Sequence, residues 1–251
     1  MQRDEGLRRL EALGFTSSRA ETLWEHFDDA EQRGKLGHGY SRIPWLETLE
    51  GFDPVAEPLL IQDDVGFQRW HGNGALGYLV LGDVVSRQID RPPTNARVVV
   101  CERTFPTGML GHYVRRLARA ELVGVLTATS PPRLGPPDGP KLAGTNPLAI
   151  GIPSSDGKPL VTDVSMGAVT WGDVIAGLAP VEQLVPFGGE QWHKAFALAL
   201  GLQALVDSLL LEPGFGAVLL VARPDADPVP ALRERAHGLR LPGDRWEGLA
   251  K

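Results

Sequence analysis

His38 stands between Gly37 and Gly39, and Arg42 follows four residues on. A histidine flanked by glycines is open to a ligand rather than packed into a helix, and imidazole, with a reference pKa of about 6.5, exchanges protons near neutrality. If the chain is helical beyond Gly37, positions 38 and 42 share a face and the guanidinium lies beside the ring. Such a planar pair of donors matches a carboxylate. Two plainer readings compete: a surface-loop histidine, and an Arg42 paired with a local acid such as Glu47. Farther along, Gly188-Gly189 feeds a helical stretch whose first residues include His193 and Lys194, so free backbone N–H groups and positive charge converge on a place for an anion. A merely solvated Lys194 is the alternative. Thr145 and Asn146, ahead of Pro147, put a hydroxyl and an amide at a fixed strand mouth, and Asp163 sits at the end of the next strand. Each could serve a site or only fix the local turn.

The elements that must hold these residues are read from periodicity and punctuation. Residues 5–33 place Leu7, Leu10 and Leu13, then Ala20, Leu23, Trp24 and Phe27, at helical spacing, broken at Gly14 and restarted near Thr16. Pro44 can open a helix over 45–52. Residues 53–97 hold short apolar pieces, Leu59 to Ile61 among them, and a helix-like stretch to about Ile89. Gly72, Gly74 and Gly77 match G-x-G-x-x-G, but without a recognisable preceding strand or acidic partner they do not make a dinucleotide fingerprint. A strand from Arg97, a helix from His112 and a strand through Thr129 predict a right-handed unit with parallel strands. A proline-rich loop over 130–144 has the character of a functional loop or interface arm. A hairpin within 141–165, a buried helix over 192–211, a strand over 217–223 and a short helix to about His237 complete the chain.

Composition narrows the function. The 251 residues carry a formal charge of -6, which argues against nucleic acid or an anionic membrane as partner. One cysteine, Cys101, lies in the apolar run RVVVCE, so a disulfide framework is excluded and a buried thiol is expected. The charged start lacks a signal-peptide core, and the longest apolar run is interrupted by Gln203 and Asp207, so the expectation is a cytoplasmic protein. No His, Cys, Asp or Glu grouping has metal-ligand spacing, so no metal is expected.

In this order, GHGYSRIP, LAGTNPLAIGIP, VTDVS and LVPFGGEQWHKAFALAL resemble the malate/L-lactate dehydrogenase family of non-Rossmann NAD(P)-dependent oxidoreductases, which also includes L-sulfolactate and ureidoglycolate dehydrogenases and a cyclic-imine-2-carboxylate reductase. The resemblance continues to LPGDRW. It implies a mixed α/β fold with a mixed central sheet and flanking helices, unlike the doubly wound dinucleotide-binding sheet. Three stretches follow from it: 1–52, helical and carrying the histidine motif; 53–190, binding cofactor and substrate; and 191–251, a helix and strand packing back on the core. By position, His38 resembles the proton donor or acceptor, Arg42 the cation holding the substrate carboxylate, and Asp163 the acid that assists the histidine. Thr145, Asn146, Gly188, Gly189, His193 and Lys194 resemble parts of the cofactor and active-site wall. NAD or NADP as cofactor, a small carboxylate substrate and a homodimer with its site near the subunit interface are also implied. The chemistry is coherent: hydride delivered to a 2-oxo acid or imine leaves negative charge or a lone pair that an acid must protonate.

The chain departs from the family pattern at several places. Pro106-Thr107 stands where a histidine is usual before Gly108, Thr127-Ala128 where Thr-Asn is usual, Gly172-Asp173 where Gly-Lys is usual, and Ala195 follows Lys194 in place of glycine. These changes support a second reading, in which the His38, Arg42 and Asp163 pocket serves non-redox acid/base chemistry or binding alone. Reversal of charge at Asp173 would weaken a phosphate-lined cleft.

Overall fold

The leucines and aromatics at helical spacing form α1 (Arg3–Ala12) and α2 (Ser17–Gln32), separated at Gly14, where φ is +96°. The structure, a computed structural model, describes residues 1–244; the end of LPGDRW and of the 191–251 stretch lies outside the described residues. Thr16 caps α2 by accepting from Arg19 N at 3.3 Å, which satisfies one orphan donor of the helix start. Leu10, Leu23, Trp24 and Phe27 close on Ile43 and Leu46 of α3 (Arg42–Leu46) and on Leu79 of α4 (Gly77–Asp90), giving the N-terminal helices a core of their own. The third helix is thus earlier and shorter than the 45–52 expected. Pro44 sits inside its first turn, where a missing N–H leaves no helix bond unmade.

Among the described residues seven strands form one mixed sheet: β1 (Leu59–Asp63), β2 (Phe67–His71), β3 (Ala96–Glu102), β4 (Val123–Ala128), β5 (Leu148–Ile152), β6 (Leu160–Val164) and β7 (Gly216–Ala222). Their spatial order is β1-β2-β3-β7-β4-β5-β6, with β2 and β3 parallel and every other neighbouring pair antiparallel. This is the mixed α/β architecture expected. The β1–β2 hairpin was not legible as such, because β1 is an edge strand with Leu59 and Ile61 about half exposed and no buried alternation.

A helix, α5 (Leu110–Arg119), connects β3 to β4 as expected, and the two strands run the same way, each antiparallel to β7. They are nevertheless not neighbours, because β7 lies between them and sets Ala217 opposite both Cys101 and Ala128. The 191–251 stretch therefore supplies a central strand rather than a cover over a finished core. Cys101 is fully buried, and burial pushes its thiol up to about 12, so it is an inert core residue. The β5–β6 hairpin has Ala149 opposite Asp163, which brings Asp163 and the residues before Leu148 to its open end.

Two further expectations change. A strand, β2, does precede Gly72, and α4 follows, so the first of the two reasons given against the glycine fingerprint, the missing strand, fails. Gly77 packs this turn against the next segment: a Cβ there would stand 2.7–2.9 Å from Pro106 O, Phe105 N and Thr104 C, so the position requires glycine for close packing. The helix α7 (Trp192–Asp207) is shorter than expected and is not buried all round. Only Ala195, Ala199 and Val206 are buried, while Leu198 and Leu205 are 52% and 46% exposed. Two short helices, α6 (Trp171–Ile175) and α8 (Val229–Arg235), complete the described chain. No helix among the described residues is long and apolar enough to cross a membrane.

Candidate active site

Chain segments 34–45, 105–109, 129–147 and 163–173 enclose a cavity of about 430 Å³, and His38 and Arg42 both line it. His38 ends a 3-10 turn (Leu36–His38), its N–H bonded to Lys35 O at 2.8 Å, and Arg42 opens α3. This turn-then-helix geometry brings Arg42 Nη2 to 3.4 Å from His38 Nδ1. Arginine only donates, so the contact requires Nδ1 to be unprotonated and leaves the ring proton on Nε2. Burial first, then the charges of Arg42 and Lys35, push the imidazole down to about 3. His38 is therefore a neutral base at pH 7.

Arg42 is held from three sides. Its guanidinium lies 4.8 Å from the Trp45 ring centroid, its Nη2 meets His38, and a Cβ on Gly172 would come within 2.3 Å of that same nitrogen. Only glycine permits this approach. The side chain is 5% exposed, its Nε has no partner among the described residues, and Glu47 pairs with Arg9 instead, at 2.7 Å. A buried guanidinium without a carboxylate is costly unless an anion completes it.

The other expected residues divide. Asp163 lines the cavity, but its Oδ2 accepts from Gly111 N at 2.9 Å, at the start of α5, and no hydrogen bond joins it to His38. Burial raises its pKa, against the pull of that backbone bond, Lys35 and Arg115. Thr145 lines the cavity too. Asn146 does not: it is fully buried, with Nδ2 donating to Ala199 O at 3.0 Å and Gln203 Oε1 at 2.9 Å, and Oδ1 accepting from Ser130 N at 3.3 Å. Its amide ties the strand mouth to α7. Gly188 and Gly189 take positive φ, 105° and 55°, in the turn before α7. His193 and Lys194 are exposed there and do not reach the cavity. Asp173 forms a capping box on α6, accepting from Thr170 N and Oγ1 at 2.8 Å, so its negative charge is held by a helix start.

Several cavity residues escaped the sequence reading. Lys35 adjoins the histidine motif, and Arg133 and Trp171 face each other with the guanidinium 3.5 Å from the ring centroid. The proline-rich loop drew notice as a whole, yet nothing in its composition distinguishes Arg133 as inward-facing. No group of three or more His, Cys, Asp or Glu suited to a metal occurs among the described residues.

Residues 3–179 match the family model described as malate/L-lactate dehydrogenase. The chain belongs to this family. A (2R)-3-sulfolactate dehydrogenase (NADP(+)) of Chromohalobacter salexigens is 31% identical over 170 residues, covering 66% of this chain and 51% of that protein. A Δ1-pyrroline-2-carboxylate/Δ1-piperideine-2-carboxylate reductase of Pseudomonas syringae pv. tomato is 27% identical over 296 positions, covering 95% and 85%. Among solved structures, the Δ1-piperideine-2-carboxylate reductase from the same pathovar superposes with a TM-score of 0.81 at 25% identity, covering 97% of this chain and 89% of that one. A malate dehydrogenase from Entamoeba histolytica reaches 0.82 at 18% identity, over 97% and 86%, and shows the fold alone. This malate/L-lactate dehydrogenase family member thus spans about half the length of the sulfolactate relative and most of the reductase.

Proposed function

We propose that the protein is an NAD(P)-dependent oxidoreductase that moves hydride to or from a small 2-oxo or 2-hydroxy acid, or a cyclic imine carboxylate, with His38 as the acid/base. One observation carries the reading: a neutral imidazole 3.4 Å from a buried guanidinium that has no acid partner, both in one cavity. Arg42 binds and orients the substrate carboxylate. In the oxidation direction Arg42 turns from His38 to the substrate carboxylate, and the freed Nδ1 takes the hydroxyl proton; in reduction it returns it. A carboxylate on Arg42 offsets the positive charge that depresses His38, so substrate binding raises the proton affinity of the base that must act on it. Asp163, fixed by Gly111 N, sets a carboxyl group on the same wall.

The space suits a long cofactor. A second cavity of about 710 Å³ adjoins the first, and the two share Gly34, Lys35, Met109, Asp163 and Val164. Lys35 and the Gly34 backbone, on the shared wall, would hold a dinucleotide, whose nicotinamide supplies or accepts the hydride. The exposed apolar side chains of α7 support a homodimer, which we place in the cytoplasm. Fluorescence titration with NADH and NADPH tests the proposal: saturable binding of at least one is expected, and no binding of either at millimolar cofactor would refute it.

A further inference from the structure

We propose that Arg133 is a second anion-binding group of the His38–Arg42 cavity, and that it makes the site select substrates with a second negative group over those with only the one on Arg42. The inference rests on the reading of this cavity as the substrate site. Arg133 belongs to the proline-rich loop, and its backbone is fixed: its N–H donates to Ala143 O at 2.8 Å, next to the bridge between Leu134 and Ala143. Its guanidinium stacks 3.5 Å from the centroid of the Trp171 ring, an arrangement that holds the plane and leaves the N–H edge free for a ligand.

No carboxylate among the described residues meets that guanidinium, and burial alone lowers its pKa. Both acids on the cavity wall are already engaged, Asp163 by Gly111 N and Asp173 by Thr170. The two arginines are also close in construction. Trp171, which carries Arg133, is followed directly by Gly172, which abuts Arg42 Nη2. A monoanion on Arg42 leaves the second, partly desolvated cation unmatched, whereas a small dianion satisfies both. The same chemistry would suit a cofactor phosphate, so the test has to separate the two sources.

Pyruvate and oxaloacetate share a 2-oxo acid core and differ by the distal carboxylate. With NADH and NADPH each saturating, Arg133→Met is expected to lower kcat/KM for oxaloacetate by roughly 10- to 100-fold, the range of a lost hydrogen bond to a charged group, and for pyruvate by less than about threefold. Arg133→Lys, which keeps the charge, is expected to retain part of the preference. Equal losses on the two substrates, or, with NADPH varied at saturating substrate, a loss expressed as a higher KM for NADPH alone, overturn the proposal, the second outcome by assigning Arg133 to a cofactor phosphate. If no 2-oxo acid is turned over, calorimetric titration with malate and lactate decides. Tighter binding of malate that disappears in Arg133→Met upholds the anion subsite while hydride transfer fails; equal binding of the two by the wild type overturns it.

Discussion

The Gly37–Arg42 turn and the Gly188–Lys194 turn look alike in sequence, each joining glycines, a histidine and a cation at the start of a helix, yet they end in different places. The first is walled in by Trp45, Gly172 and the 105–109 segment, so its histidine loses its ordinary basicity and its arginine is buried without an acid. The second stands at the surface, with His193 and Lys194 exposed beside a helix that shows Leu198 and Leu205 to solvent. A helix start rich in positive charge becomes a site only where an opposing wall excludes water and strengthens the field.

The sharpest way to break this contrast is to truncate one histidine from each turn. His38→Ala is expected to lower kcat/KM by about 10²–10⁴, the usual contribution of a positioned acid/base, while Lys194→Ala and His193→Ala stay within about twofold, as exposed substitutions do. Comparable losses at both turns would place the second turn in the active site as well, through a partner subunit, and dissolve the distinction.

A smaller effect should separate Asn146 from its neighbour Thr145. Asn146→Ala takes the acceptor from Ser130 N and one of the donors from Ala199 O and Gln203 Oε1, so a stability loss of about 1–3 kcal/mol is expected, with KM for cofactor little changed. Thermal unfolding together with cofactor titration checks this. Thr145→Ala, at the cavity, should do the reverse and shift KM with little change in melting temperature.

These outcomes bear on how far the chain can be read without its fold. The His38–Arg42 pair was legible because i, i+4 spacing is a local geometric rule, and the β5–β6 hairpin because its turn residues and apolar runs are local too. For Asn146 the sequence left two roles open, a site contact or a fixture of its strand mouth, and the partners that favour the second lie on α7, more than fifty residues away. The insertion of β7 between β3 and β4 is likewise a nonlocal pairing that no short pattern encodes. Arg133 and Trp171 meet only because the sheet brings a loop and a helix start to one cavity.

The smallest expected effect is on the pH dependence of stability. His38 in the folded chain is pushed down to about 3, and His26, buried with Nε2 accepting from Met109 N, also lies well below its ordinary value. Between about 3 and 6.5 the unfolded chain binds protons that the folded chain does not, so these histidines make stability rise with pH across that window and fall as pH drops. His38→Gln should flatten the slope of melting temperature against pH between about 4 and 6.5, leaving the share due to His26. An unchanged slope would mean that His38 titrates normally.

The most direct test of the account follows the hydride itself. Wild-type protein is incubated with NADH or NADPH deuterated at the transferring position of C4 and with a mixture of pyruvate, oxaloacetate and Δ1-piperideine-2-carboxylate, and the products are examined by mass spectrometry. The account predicts deuterium on the carbon next to the carboxylate of at least one product, and its loss to background in His38→Ala. No deuterated product from the wild type with either cofactor would contradict it.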